Sequence, residues 1–319
     1  MIAPLVSVII PTYNRADTVQ RSIHSVLEQS YHPFEIIVVD DGSTDSTPAA
    51  LSHYGDLIRV IRQSNSGPSV ARNAGAGVAR GEFIAFLDSD DTWKPTKLAR
   101  QVRLMLAGGE MVPCCICNAS LIDGDHCGAT TFEVSNVMSG LMEGYWMNPA
   151  SILATRFILF NQVALIRRKT FERVGGFKPD MRLLEDYDLA FRLSLLGPWA
   201  FVADPLVAKY NDTGGIGVRA MLDPLAHARA WRGVLEGMLG EATGNDSKAG
   251  RLVRRALADV QAEIILAEKL SDSGPRGRLI ARARMYFLRK RQALRRRLPG
   301  WPRVRSLASL PANVVPAIA

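Results

Sequence analysis

The 319-residue sequence predicts an α/β fold, a doubly wound and mainly parallel sheet followed by a helical C-terminal extension. Three observations carry that reading. Short β-branched apolar runs alternate with helix-spaced segments through the first third of the chain. The runs are apolar on both faces, as strands covered by two helical layers are. Polar clusters (Thr12, then Asp40-Asp41, then the acids of 88–91) recur where the runs end. That is the edge at which open α/β sheets bind ligands.

Each element follows from local pattern. Residues 6–11 read as the first strand, closed by Pro-Thr-Tyr-Asn. Asp17 is expected to cap a helix over 18–29, where Val19, Ile23, Val26 and Leu27 recur at helical spacing. A second strand over 35–39 runs into Asp-Asp-Gly-Ser-Thr-Asp and a helix around 48–53. Residues 57–61 read as a third strand, 69–80 as an Ala-rich helix and 83–87 as a fourth strand. Lys94-Pro-Thr-Lys reads as a helix start with Pro near the first position, which makes Asp91 and Thr92 its leading cap residues. A strand over 111–122 precedes 124–149, whose Gly, Ser, Thr and Met content reads as a long loop. A strand near 162–166, a helix near 169–174, a helix after Asp186 and a strand over 201–210 follow. Residues 211–217 read as flexible, and 224–240, 248–270 and 275–298 as helices. The expected division is a domain over 1–215 and a helical extension over 216–319.

Charge is unevenly spread. The chain has 39 Lys and Arg against 31 Asp and Glu, a formal charge of +8. Residues 273–319 hold 12 of the basic groups and no acid, so 1–272 carry −4. Ten basic residues between Arg276 and Arg297 alternate with Leu279, Ile280, Met285, Tyr286, Phe287, Leu288 and Leu294. Such a basic amphipathic helix suits an anionic membrane surface. A partner-binding or solvated face ranks second. Nucleic acid ranks last, because nothing else suggests base reading. No secretory signal or membrane-length apolar run is visible, so a cytoplasmic location, peripheral on the membrane's cytoplasmic face, is expected. Cys114 and Cys117 form a C-x-x-C, with Cys115, His126 and Cys127 nearby. On a strand, residues three apart face opposite ways, so these read as reduced core thiols rather than a zinc site. No G-x-G-x-x-G or Walker motif occurs, which argues against dinucleotide enzymes and P-loop NTPases.

Five motifs stand in order: VSVIIPTYN (6–14), VVDDGSTD (38–45), GPSVARNAG (67–75), FLDSDD (86–91) and LEDYDL (184–189). Together they resemble the family 2 glycosyltransferases, inverting enzymes with the GT-A fold, over about residues 5–210. Asp88-Ser-Asp90 is a D-x-D at a strand end, and its carboxylates suit a hard, oxygen-preferring Mg²⁺ or Mn²⁺. The resemblance assigns Asp90 to the metal and Asp88 to the nucleotide ribose or the metal's shell. It places Pro11, Thr12, Tyr13, Asp40, Arg72 and Ser89 around the nucleotide, with Asp40 reading uracil. Asp41 and Asp45 are equally well explained as turn residues. Glu185-Asp186 opens an amphipathic segment, where acids either favour the helix dipole or do chemistry. The resemblance makes Asp186 the general base and leaves Asp188 to the first helical turn. Some relatives place a His after the later strand, but here 209–213 reads Lys-Tyr-Asn-Asp-Thr.

The resemblance implies transfer of a sugar from a nucleotide donor, UDP-linked, to a hydroxyl of a glycan or lipid-linked glycan. Residues 124–149 are expected to shape the acceptor side. The rival readings are transfer to polyprenyl phosphate and a catalytically silent nucleotide-sugar-binding scaffold. A pyrophosphorylase is disfavoured, because no glycine-rich loop lies near the N-terminus. Donor sugar, acceptor, linkage and oligomeric state are not legible.

Overall fold

The computed structural model of the chain describes residues 3–124, 126–137, 140–154, 157–181, 183–210, 223–241, 248–271 and 304–305. Burial sorts the strands. All seven residues of β1 (Val6–Thr12) are buried, and β1 is central in a parallel block. It pairs with β2 (Phe34–Asp40) on one side and β4 (Phe83–Phe86) on the other. β3 (Arg59–Arg62), mostly exposed, forms the edge beside β2. The helices α1 (Ala16–Leu27), α2 (Thr47–Ser52) and α3 (Pro68–Gly77) are the crossovers this parallel pairing requires. α3 lies so close to the sheet that a Cβ on Gly75 would come within 2.5 Å of Ile9 Cγ2.

The other half of the sheet is mixed. β5 (Thr92–Trp93) and α4 (Lys97–Ala107) lead to β6 (Cys114–Asp123). β7 (His126–Thr130), α5 (Thr131–Val134), β8 (Glu143–Trp146) and α6 (Pro149–Leu153) follow. β9 (Ala164–Arg167) then runs antiparallel between β4 and β6. After α7 (Arg168–Arg173) and α8 (Glu185–Ser194), β10 (Trp199–Tyr210) pairs in parallel with β6. β1 to β4, β6 and β10 therefore share one direction. The far end of β10 also pairs with β5, which joins the chain after the acidic cluster to residues 207–208. The extension supplies α9 (Pro224–Glu241) and α10 (Lys248–Ser271), which pack on each other, α9 also on α8 and α10 on α6. Their apolar side chains, Val234 and Val253 among them, join the same buried core as the sheet. β11 (Val304–Arg305) pairs antiparallel with β8.

Three local expectations change. Asp17 does not cap α1: the helix starts at Ala16, and Asp17 sits in its first turn, where an acid favours the dipole. Residues 124–149 are not one long loop. β7 returns along β6 as a hairpin, a Thr130–Glu133 capping box starts α5, and β8 extends the sheet. Elements of four or five residues are too short to show a period. The helix expected from Lys94 begins at Lys97, because Lys94 N still donates across the sheet to Leu206 O, next to the pairing of β5 with β10. Cys114, Cys115 and Cys117 are buried in β6, and all four cysteines are free thiols. No helix among the described residues is long and apolar enough to cross a membrane. The segments 211–217 and 275–298 lie outside the described residues.

The contact between α3 and the sheet gives a paired test. Gly75→Ala presses a methyl into Ile9 and Val39 and should lower stability by about 1–3 kcal/mol. Gly77→Ala, with open space around it, should raise stability by about 0.4–1 kcal/mol. Denaturant midpoints at constant m-value measure both.

Candidate active site

The site is assembled where β1, β2 and β4 end. The turn after β1 is latched to the turn after β2. Asn14 Oδ1 accepts from Thr44 N at 2.8 Å, and Asn14 N donates to Ser43 Oγ at 2.9 Å. Asn14 has φ 51°, a left-handed conformation that Asn tolerates better than most residues. Pro11, Thr12 and Tyr13 line a cavity of about 800 Å³ at this edge. Thr12 is buried, and its Oγ1 has no hydrogen-bond partner.

The two acids after β2 have separate jobs. Asp40 lies under the turn, where Oδ1 accepts from Ser43 N at 2.9 Å and Oδ2 stands 3.5 Å from Arg62 Nε. It does not line the cavity, contrary to the expectation that it reads uracil from the wall. Asp41 does line it. Asp41 Oδ1 accepts from Gln63 Nε2 at 2.7 Å and Ser66 N at 2.9 Å, and Oδ2 accepts from Gly67 N at 2.8 Å. Gly67, at φ 91°, precedes Pro68 at the first turn of α3, so Asp41 fixes where that helix begins.

One turn further along α3, Arg72 occupies the middle of the site. Its side chain is 6% exposed. Nη2 donates to Asp88 Oδ1 at 2.7 Å and Nη1 to Glu185 Oε1 at 2.9 Å. Burial disfavours the guanidinium charge, but Asp88 and then Glu185 outweigh it and hold the proton more firmly than usual. Nε is buried without a partner. Arg72 thus joins the acidic turn after β4 to the start of α8, 113 residues away in sequence from Arg72.

Asp88, Asp90 and Asp91 hold carboxylate oxygens within 4.8 Å of one another. Each has its own cation: Arg72 for Asp88, Arg15 at 3.4 Å for Asp90, and Lys209 at 3.1 Å for Asp91. Burial raises the Asp88 carboxyl, but the charges of Arg72 and then Lys209 outweigh it and hold its pKa below the ordinary value. Burial and the Asp88 charge raise Asp90. Burial pushes Asp91 up to about 7, with Lys209 opposing and Asp88 and Asp90 adding to the rise. α1 holds the backbone of the turn: Ser22 Oγ donates to Asp91 O at 2.8 Å, and Arg21 Nη2 to Asp90 O at 2.6 Å.

Asp91 caps no helix. It is fully buried, accepting from Tyr210 N at 2.8 Å, from Lys209 Nζ and from Gln162 Nε2. It ties the acidic turn to the end of β10 and to the segment before β9. Asp88 and Asp90, with Ser89, face the cavity. Their hard oxygen donors at close spacing match the chemistry of a divalent cation such as Mg²⁺ or Mn²⁺.

Across the cavity, Leu184 has φ 62°, a strained conformation for a branched apolar residue, immediately before Glu185. Asp186 lies in the first turn of α8. Burial, then the Glu185 charge, push its pKa up to about 8, with Arg72 opposing. Asp188 points away, paired at 2.6 Å with both Lys178 and Arg192, and serves the fold. The rest of the wall comes from 157–162 and, from α9, His227 and Trp231. Among the described residues of 124–149, the segment expected to shape the acceptor side, none lines the cavity.

Every expected site residue except Asp40 borders this cavity. Arg15, Lys209, Asp41, Gln162, His227 and Trp231 belong to it too. Lys209 was visible only as the absence of a His. His227 and Trp231, four apart on a helical pattern, carried a signal without an address.

The family described as "Glycosyl transferase family 2" matches residues 7–174. A Bacillus subtilis (strain 168) protein named for teichuronic acid biosynthesis, the glycosyltransferase TuaG, is 48% identical over 107 residues, 32% of this chain and 42% of its own. The succinoglycan biosynthesis protein ExoO of Rhizobium meliloti (strain 1021) is 45% identical over 111 residues, 34% of this chain and 32% of its own. The matches thus span less than half the length of these relatives. S. aureus TarS 1–349 in complex with UDP-GlcNAc superposes with TM-score 0.59 at 19% identity, over 82% of this chain and 72% of that one. The Pyrobaculum calidifontis mannosyltransferase PcManGT in complex with GDP-Man and Mn²⁺ gives 0.56 at 21%, over 92% and 88%. These likenesses establish the GT-A fold.

The separate roles of the acids are measurable. Asp91→Ala leaves Lys209 without its buried partner and should cost about 3–5 kcal/mol of stability. Asp90→Ala removes a like charge from a crowded turn and should leave the denaturant midpoint at or above wild type.

Proposed function

The chain belongs to glycosyl transferase family 2, and from that premise we propose that it moves a sugar, with inversion, from a UDP-linked donor to a hydroxyl of a glycan or lipid-linked glycan. The observation that carries the reading is the Arg72 bridge, which puts Asp88 and the Glu185-Asp186 pair in one cavity. The nucleotide-sugar complexes of TarS and PcManGT support the donor class, and the names of TuaG and ExoO support a polysaccharide or related glycan product.

On this reading the diphosphate lies at the acidic turn and the nucleoside along the β1 and β2 edge. Asp88 and Asp90 would hold a divalent cation, Mn²⁺ or Mg²⁺, which would supply positive charge toward the leaving nucleoside diphosphate. Arg15 and Lys209 add fixed positive charge beside it. The unpartnered Thr12 Oγ1 and Arg72 Nε are buried groups that a polar ligand would satisfy. Base reading falls to Asp41 on the wall rather than to Asp40 beneath the turn. Asp186 takes the proton of the acceptor hydroxyl. The acceptor oxygen bonds to the anomeric carbon on the face opposite the diphosphate, and the sugar–phosphate bond breaks with its electrons going to phosphate. A polyprenyl phosphate acceptor is already ionised near neutral pH and needs no such base, so Asp186 favours a hydroxyl acceptor. The basic segment 276–298 would hold the enzyme at an anionic membrane surface.

Transfer assays over a panel of UDP- and GDP-sugars test the reading. Turnover should require a divalent cation, stop with chelator and favour UDP donors. Asp186→Asn should lower kcat by about 10²–10⁴. A base titrating near 8 must lose its proton to act, so wild-type kcat/KM should climb with pH and level off above about 8. Asp186→Asn should lack that limb. Near-wild-type rates in Asp186→Asn would defeat the assignment.

A further inference from the structure

The cavity has a side that the nucleotide edge does not provide. Besides Asp186 and its neighbours, the wall includes Phe157, Leu159 and Phe160 from the segment before β9, which runs on into Asn161 and Gln162, and His227 and Trp231 from α9. The last two lie in the helical extension, outside the residues matched by the family. They stand four apart, on one face of α9. The Trp231 ring meets the Tyr187 ring edge to face at 4.5 Å, and Tyr187 is the residue directly after Asp186. Tyr187 and Trp231 are both buried, so Trp231 is held in register with Asp186 and only part of its ring reaches the cavity. His227 is half-buried, with its ring near that of Trp231.

An aromatic and apolar wall with one imidazole matches a particular ligand chemistry. A pyranose ring has an apolar C–H face that packs on an aromatic side chain, and hydroxyls at its rim that pair with a polar group. The Lys209 ammonium, 5.3 Å from the centre of the Phe160 ring, marks the diphosphate end of this wall, whereas His227 and Trp231 offer the two kinds of contact that a neutral sugar takes. We propose that Trp231 and His227 form the acceptor subsite, with the cavity-lining edge of the mostly buried Trp231 ring an apolar contact for a neutral pyranose and His227 a hydrogen-bond partner of one of its hydroxyls. The helical extension then helps select the acceptor, on a catalytic domain whose donor side is built from the first 90 residues together with Lys209. The proposal rests on the glycosyltransferase reading above.

The test uses the full chain, its best UDP-sugar donor, and p-nitrophenyl glucoside, galactoside, mannoside and N-acetylglucosaminide as acceptors. The same four sugars as octyl glycosides in detergent form a second arm, which separates a free glycan from a lipid-linked one. Trp231→Ala and His227→Ala should each raise acceptor KM about tenfold or more, the loss of roughly one good contact. The rise should fall on acceptor KM rather than donor KM. Trp231→Phe should recover most of the loss, and thermal midpoints separate binding from unfolding. Unchanged acceptor KM in folded Trp231→Ala and His227→Ala would overturn the proposal, as would an equal rise in donor KM. A wild-type enzyme that releases UDP from the donor but glycosylates none of the eight acceptors would also overturn it. Absence of any donor turnover would instead overturn the function proposed above.

Discussion

The Arg72 guanidinium is the point on which the site depends. A buried cation is costly unless carboxylates and hydrogen bonds surround it, and here Asp88 and Glu185 do so from two distant parts of the chain. Its own position is fixed from both ends of α3. Asp41 accepts from Gly67 at the helix start, and Gly75 seats the other end directly on Ile9 and Val39. The parallel block therefore sets where Arg72 stands, and Arg72 sets how far the acidic turn lies from Asp186. An α/β sheet thereby aligns the Asp88–Asp91 turn and the start of α8, which no local sequence rule connects.

The acidic turn divides stability from chemistry. Asp91 is turned inward, where Lys209, Tyr210 and Gln162 satisfy it and bind β10 to the turn. That leaves Asp88 and Asp90 directed at the cavity, Asp88 held by Arg72 and Asp90 crowded by the Asp88 charge. α1 keeps them there by taking up the backbone carbonyls through Ser22 and Arg21. The raised pKa of Asp90 reflects the same crowding that a divalent cation relieves. Strain is concentrated here too, since Asn14 and Leu184, two of the three non-glycine residues with positive φ among the described residues, both line the cavity.

The parallel block was legible because it is built from long apolar runs between strong turn signals. The motifs at its strand ends located the acids, while motifs at the starts of α3 and α8 located Arg72 and Asp186. The mixed half was harder. β7, α5 and β8 are short, and β9 enters the sheet antiparallel, a choice made by tertiary pairing with β4 and β6 rather than by its four residues. The side-chain assignments divided along the same line. Neighbouring acids such as Asp40 and Asp41, or Asp90 and Asp91, look alike in sequence. Only the direction of each Cβ decides which faces the cavity and which is buried. Lys209, His227 and Trp231 reach the site through packing between distant elements, which no spacing reveals.

The central claim is that Arg72 couples the donor carboxylates to the general base. The pH dependence of kcat/KM in Arg72→Met tests it most directly. Arg72 is the charge that opposes the rise in the Asp186 pKa. Its removal, which also frees Glu185, is expected to shift the acid limb to higher pH than in wild type and to lower the plateau rate. A folded Arg72→Met enzyme with the wild-type limb and the wild-type plateau would contradict the account.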